Sequence, residues 1–231
     1  MRKLFFAVLL CLLLSAKTRA DEAAPRYAIT DLTAALGKKD NTVSADAINN
    51  KGEIAGDAHG DVYILSDGKA RIIGKLPGSG SCQVSDINDK GEIVGTCSFP
   101  YEEKDRGNLW PPAKYFLWKD GKMLNLGETP IYFPAIKINN RSQVIFSAVA
   151  AKAAATLWEN GEEKTLGNWL PFDINDDGQI AGAQMFQSKS RKFLDMMRAV
   201  VWENGKESRA GRKASAAVLI NNHRDHVLIE S

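Results

Sequence analysis

One ten-residue pattern returns along the chain and sets its architecture. Ala47-Ile48-Asn49-Asn50-Lys51-Gly52-Glu53-Ile54-Ala55-Gly56 recurs as Asp86-Ile87-Asn88-Asp89-Lys90-Gly91-Glu92-Ile93-Val94-Gly95 and as Asp173-Ile174-Asn175-Asp176-Asp177-Gly178-Gln179-Ile180-Ala181-Gly182. Looser copies lie at 137–144 and 219–227. The leading isoleucines, Ile48, Ile87, Ile138, Ile174 and Ile220, are 39, 51, 36 and 46 residues apart. Intervals of this size mark stacked units that bury their apolar faces against one another. A second half-repeat alternates with the first, at 62–68, 115–121, 155–161 and 199–205. In each copy Leu65, Trp118, Trp158 or Trp202 stands three residues before a glycine, and Gly74, Gly127, Gly167 or Gly211 six after it. The Asp-Gly and Asn-Gly pairs between these apolar runs are hairpin signals, because glycine takes positive φ without steric cost. Each unit therefore reads as two hairpins, or four strands, with no amphipathic helix between them.

The ends of the repeat array complement each other. Residues 27 to 33 read as an orphan fourth strand, with Leu32 matching Ile73, Leu126 and Leu166, while 215–231 holds one hairpin. A ring of blades closes by sharing one blade between the two ends of its chain. The expectation is an all-β protein, a β-propeller with four whole blades at about 43–76, 83–127, 134–167 and 171–211. The fifth blade is composite and incomplete, 215–231 paired with 27–33. An open β-repeat array is the alternative.

Arg2 and Lys3 precede an apolar run from Leu4 to Leu14, and small and polar residues then lead to Ala20. This is the order of a cleavable signal peptide over 1–20, leaving 21–231 as a single repeat domain. Eleven apolar residues fall short of the roughly 20 that cross a bilayer, and no later stretch comes closer. The mature chain is thus expected to lack a transmembrane segment and to be periplasmic or extracellular. Export also changes the charge. The whole chain carries 30 Lys and Arg against 28 Asp and Glu, a net of +2, but four of the basic residues lie in the first twenty positions. The mature chain is slightly acidic, which argues against a nucleic-acid partner. Cys82 and Cys97 reach a compartment where disulfides persist. A two-residue loop at Asp89-Lys90 sets them opposite each other across a hairpin, and a three-residue loop ending in Gly91 shifts the pairing by one. A bridge closing about fifteen residues would contribute up to about 3 kcal/mol.

The alternation of Ile-Asn-Asp-x-Gly-Gln-Ile-x-Gly, as at 174–182, with Phe-Leu-Trp-x-x-Gly, as at 116–121, resembles the bacterial extracellular repeats of the HAF family, named for a His-Ala-Phe tripeptide. The resemblance spans nearly all of 21–231. It implies an exported protein of propeller-like β-repeats and no particular reaction. Where the family has His-Ala-Phe, this chain has Asp61-Val62-Tyr63, Lys114-Tyr115-Phe116, Ala154-Ala155-Thr156 and Arg198-Ala199-Val200. Any role of that histidine is therefore not carried over.

Chemistry-bearing patterns are sparse. His59, His223 and His226 are scattered, and no nucleophile elbow, phosphate loop or zinc-binding histidine pair occurs. Residues 173–178 match the first half of a calcium loop, but its twelfth place is Gln184, and sister copies put Lys51 and Lys90 at the fifth. The Asn and Asp residues are read as turn formers that bond their own backbone, and neither a metal nor a cofactor is expected. Trp118, Trp158 and Trp202, repeating at one place, are read as packing between blades.

The two long second-to-third-strand connections, 98–113 and 184–198, fall on one face, together with the connections between blades. That face collects Tyr101, Trp110, Tyr132, Phe133, Trp169 and Phe186, with Lys189, Arg191 and Lys192 on the second insertion. Loops on a rigid scaffold concentrate binding residues, and aromatic rings suit sugars and peptides. The expected function is a monomeric, non-catalytic module that binds a glycan, a peptide or an envelope protein there. A secreted hydrolase or lyase with a carboxylate site on the same face or at the ring centre is one alternative. A structural envelope component without a specific ligand is another.

Overall fold

The computed structural model describes residues 31–37, 42–102, 111–129, 135–148, 154–185, 197–210, 215–223 and 225–230. After a short helix α1 (Leu32–Ala35), four antiparallel meanders of four strands follow in chain order. The first is β1 (Ala47–Ile48), β2 (Ile54–Ala58), β3 (Asp61–Ser66) and β4 (Lys69–Gly74). The second is β5 (Ser81–Ile87), β6 (Ile93–Ser98), β7 (Ala113–Lys119) and β8 (Lys122–Glu128). The third is β9 (Ile136–Ile138), β10 (Val144–Ala148), β11 (Ala154–Glu159) and β12 (Glu162–Gly167). The fourth is β13 (Leu170–Ile174), β14 (Ile180–Met185), β15 (Met197–Glu203) and β16 (Lys206–Ala210). A fifth sheet holds β17 (Ser215–Ile220) and β18 (His226–Glu230). The turns between the first and second strands of all five sheets line one funnel, so the sheets are the blades of a β-propeller with their first strands innermost.

Local sequence chemistry accounts for the strand ends. At the outer hairpins Asp67-Gly68, Asp120-Gly121, Asn160-Gly161 and Asn204-Gly205, both residues have positive φ, the geometry of a two-residue turn whose twist suits flanking strands. The glycines six residues further on mark a second feature. The β3–β4, β7–β8 and β11–β12 ladders each shift register beside Gly74, Gly127 or Gly167. In the second blade Ile87 pairs with Ile93, one step off the register of a two-residue loop, and a bulge between Val84 and Asp86 restores it. Cys82 then lies opposite Cys97, and the two form a disulfide.

The core lies between blades. Ala55, Val62 and Ile64 of the first pack against Val84, Ile87, Ile93 and Phe116 of the second. Val94, Tyr115 and Leu117 of the second meet Ile138, Val144, Phe146 and Trp158 of the third. Ile145, Ala155 and Leu157 of the third meet Ile174, Ile180 and Val200 of the fourth, and Ala181 and Ala199 meet Ile220 of the fifth. Trp158 is buried; Trp118 and Trp202 pack partly buried against these clusters. Arg71 and Lys164 lie over Trp118 and Trp202, 5.1 and 5.8 Å from the ring centroids.

Large and small side chains trade places from blade to blade. Gly56 pairs with Tyr63 and Gly95 with Phe116, whereas the third blade reverses the pair as Phe146 opposite Thr156. In the fourth blade Gly182 pairs with Val200, and the indole of Trp169 fills the space above the glycine. A Cβ on Gly95 would fall on the Gln83 carbonyl oxygen and on the Phe116 ring.

One expected element differs. Of the strand proposed at 27–33, residues 27 to 30 lie outside the described residues, and Leu32–Ala35 is a helical turn. Among the described residues no strand precedes the first blade, and this turn lies against that blade's apolar face. Leu32 and Leu36 pack against Ala58, Tyr63 and Leu65. Substituting Gly95→Ala should lower the unfolding free energy by about 1–3 kcal/mol through overpacking, measured by urea denaturation.

Candidate functional site

The first asparagine of each repeat does more than shape its own turn. Asn88 Oδ1 accepts the backbone N–H groups of Lys90 and Glu92, both at 3.0 Å. Its Nδ2 donates to Glu92 Oε2 at 2.6 Å and to the Asn139 carbonyl of the next blade at 3.0 Å. The same reach to the next blade runs from Asn49 to the Asn88 carbonyl, from Asn139 to Asn175 and from Asn175 to Asn221.

The second position forms a parallel belt. The N–H of Asn50 donates to Asp89 Oδ1, that of Asp89 to Asn140 Oδ1, that of Asn140 to Asp176 Oδ1 and that of Asp176 to Asn222 Oδ1, at 2.7–2.8 Å. Side-chain amides of Asn50 and Asn140 also reach Asp89 Oδ2, and those of Asn140 and Asn222 reach Asp176 Oδ2. Around the axis the residues alternate amide, carboxylate, amide, carboxylate, amide, so each charge lies between two donors. Hydrogen bonds from Asn50 hold the Asp89 carboxyl below its ordinary pKa. Together the five turns line a polar cavity of ≈ 290 Å³.

Two residues before the first asparagine, the innermost strands carry an ionisable cluster. Asp86 Oδ2 accepts the Ile138 N–H of the next blade, and Asp173 Oδ2 accepts the Ile220 N–H of its next blade. Lys137 Nζ is 3.8 Å from Asp86 Oδ2. Burial pushes the Asp86 carboxyl up against the pull of Lys137 and of backbone N–H groups, and the charge of Asp173 adds to the rise. Burial likewise raises Asp173, opposed by backbone N–H groups and by Lys137. Two acids with heightened proton affinity beside one ammonium can hold or exchange a proton with a bound group. Sequence reasoning passed over this cluster. Its signal is the place just before the repeated isoleucine, where Ala47, Asp86, Lys137, Asp173 and Leu219 vary while their neighbours repeat.

On the long-looped face, Tyr101 is 52% exposed. It follows the rung of the Cys82–Cys97 bridge, and nearby Lys114 Nζ lies 4.8 Å from the centroid of the Phe99 ring. Trp169 is not a surface aromatic. It is 1% exposed, because its indole fills the space that Gly167 and Gly182 leave between the third and fourth blades. Trp110, Tyr132, Phe133, Phe186, Lys189, Arg191 and Lys192 lie outside the described residues.

Among the described residues no helix is long and apolar enough to cross a membrane. No family model and no curated protein matches the sequence. Solved structures do match the fold. The acylaminoacyl peptidase of Pyrococcus horikoshii, in its orthorhombic crystal form, aligns with a TM-score of 0.53 at 12% identity, over 78% of this chain and 34% of that one. The β-propeller domain of the Trilobed protease from Pyrococcus furiosus, described as having an open velcro topology, aligns at 0.50 and 13% identity, over 80% and 62%. This chain spans less than two thirds of either. At such identity the likeness establishes the β-propeller fold alone.

Two outcomes test the axial chemistry. Asn140→Asp would set three carboxylates side by side and remove amide donors, lowering stability at neutral pH by about 1–3 kcal/mol. That deficit should shrink on titration toward acid, as the added repulsion is neutralised. For Asp86 the folded pKa is raised, so the cost of its buried charge is present at neutral pH and vanishes as pH falls through that raised value. Its carboxyl carbon, followed by NMR, should titrate above an ordinary aspartate, and Lys137→Met should move the midpoint further up.

Proposed function

We propose that the chain is an exported, non-catalytic propeller module that binds a glycan, peptide or protein partner through its long-looped face. The observation that carries this reading is the exposure of Tyr101 just beyond a disulfide-bridged rung, while the polar residues of the repeat are engaged in turns and inter-blade bonds. A rigid base with an exposed ring costs little ordering entropy on binding. The signal-like order of residues 1–20 and the disulfide support export. The ordered half-repeats support membership of the HAF type.

The convergence of Asp86, Lys137 and Asp173 favours a second reading, a hydrolase or lyase with its carboxylates at the ring centre. Residues 21–231 should be screened on glycan, peptide and envelope-fraction arrays beside a Tyr101→Ala/Trp110→Ala double variant and an Asp86→Asn/Asp173→Asn double variant. The binding module predicts a ligand lost only with the aromatic pair, at unchanged melting temperature. Turnover of an array compound that disappears with the aspartates would instead support the enzyme.

A further inference from the structure

The contact that joins successive blades is repeated four times, and no fifth copy occurs among the described residues. At each internal junction an asparagine Nδ2 donates to the next asparagine carbonyl, a backbone N–H donates to the next Asx Oδ1, and the next isoleucine is covered. Ile87, Ile138, Ile174 and Ile220 are 5–7% exposed, whereas Ile48 is 67% exposed. On this wall of the seam, among the described residues, the Asn49 carbonyl accepts only its own turn's Gly52 N–H, and Asn50 Oδ1 has no donor.

The opposite wall holds the matching halves. Asn221 Nδ2 donates to Asp225 of its own turn and to no neighbouring blade among the described residues. The Asn222 N–H has no acceptor among the described residues, and Leu219 is 54% exposed. Leu32 and Leu36 cover Ala58, Tyr63 and Leu65 of the first blade but leave Ile48 bare, so the uncovered part has the extent of a hairpin tip rather than a whole blade.

We infer that the seam between the fifth and first blades is a docking slot for a β-hairpin of another polypeptide, one that carries an Ile-Asn-Asx turn. Such a turn presents acceptors on one side for Asn221 Nδ2 and the Asn222 N–H. On its other side it presents donors for the Asn49 carbonyl and Asn50 Oδ1, and its flank covers Ile48. This occupant continues the four junctions already built from the same turn.

The chain itself supplies a probe, the synthetic peptide of residues 82–97 closed by its Cys82–Cys97 bridge, with the hairpin verified by cross-strand NOEs. Titrated into the fluorescently labelled full chain, it should bind saturably at one per chain. Ile48→Asp, at an exposed position that the fold tolerates, should weaken binding at least tenfold, as should Asn88→Ala in the peptide. Absence of saturable binding at millimolar peptide, or binding indifferent to Ile48→Asp, overturns the proposal. Sedimentation in the absence of peptide completes the test: dimers of the full chain that Ile48→Asp dissolves would give the slot to a second copy and overturn the hairpin assignment.

Discussion

A primary amide pointing along the ring is the interaction on which the rest of this structure depends. Strands within a blade hold one another through backbone ladders, but among the described residues no ladder joins one blade to the next. Something else must set their spacing. In this chain the first asparagine of each repeat binds its own turn with its oxygen and the next blade with its nitrogen. An ionised carboxylate at that place could accept but not donate, so it could shape the turn and could not reach the neighbouring carbonyl. The amide is thus the group that makes one residue serve both the local and the long-range structure.

Spacing set at the axis has to agree with packing further out, and the agreement is reached with different residues in different blades. Gly95 beneath Phe116, Phe146 beside Thr156, and Gly182 beneath Trp169 fill similar space by different means. Protein interiors are packed densely enough that only the summed volume at such a place is constrained. Fidelity to the repeat is therefore tight where hydrogen bonds are made and loose where volume is filled.

That division explains what was legible from sequence alone. Strands, Asp-Gly and Asn-Gly turns and the facing of Cys82 and Cys97 are local or periodic properties, and the residues announce them. Leu32 misled because its match to Ile73, Leu126 and Leu166 is one of hydrophobicity, which a helical cover satisfies as well as a strand. Trp169 misled in the other direction, since an aromatic on a connection looks like a surface feature until the glycine it covers is known. The Asp86, Lys137 and Asp173 cluster went unread because its successive members are 51 and 36 residues apart in the chain and meet only when the blades are placed around an axis.

The belt of second-position residues has a property of number. Two kinds of group cannot alternate around a ring with an odd count; somewhere two of a kind must be neighbours. With Asn50, Asp89, Asn140, Asp176 and Asn222, the like pair is Asn222 and Asn50, and it falls at the seam. The opposite assignment, beginning and ending on aspartate, would put a charge on each wall of the seam, where no amide bridges the two blades among the described residues. Starting on amide leaves that junction electrically neutral, so the weakest place in the ring carries no repulsion.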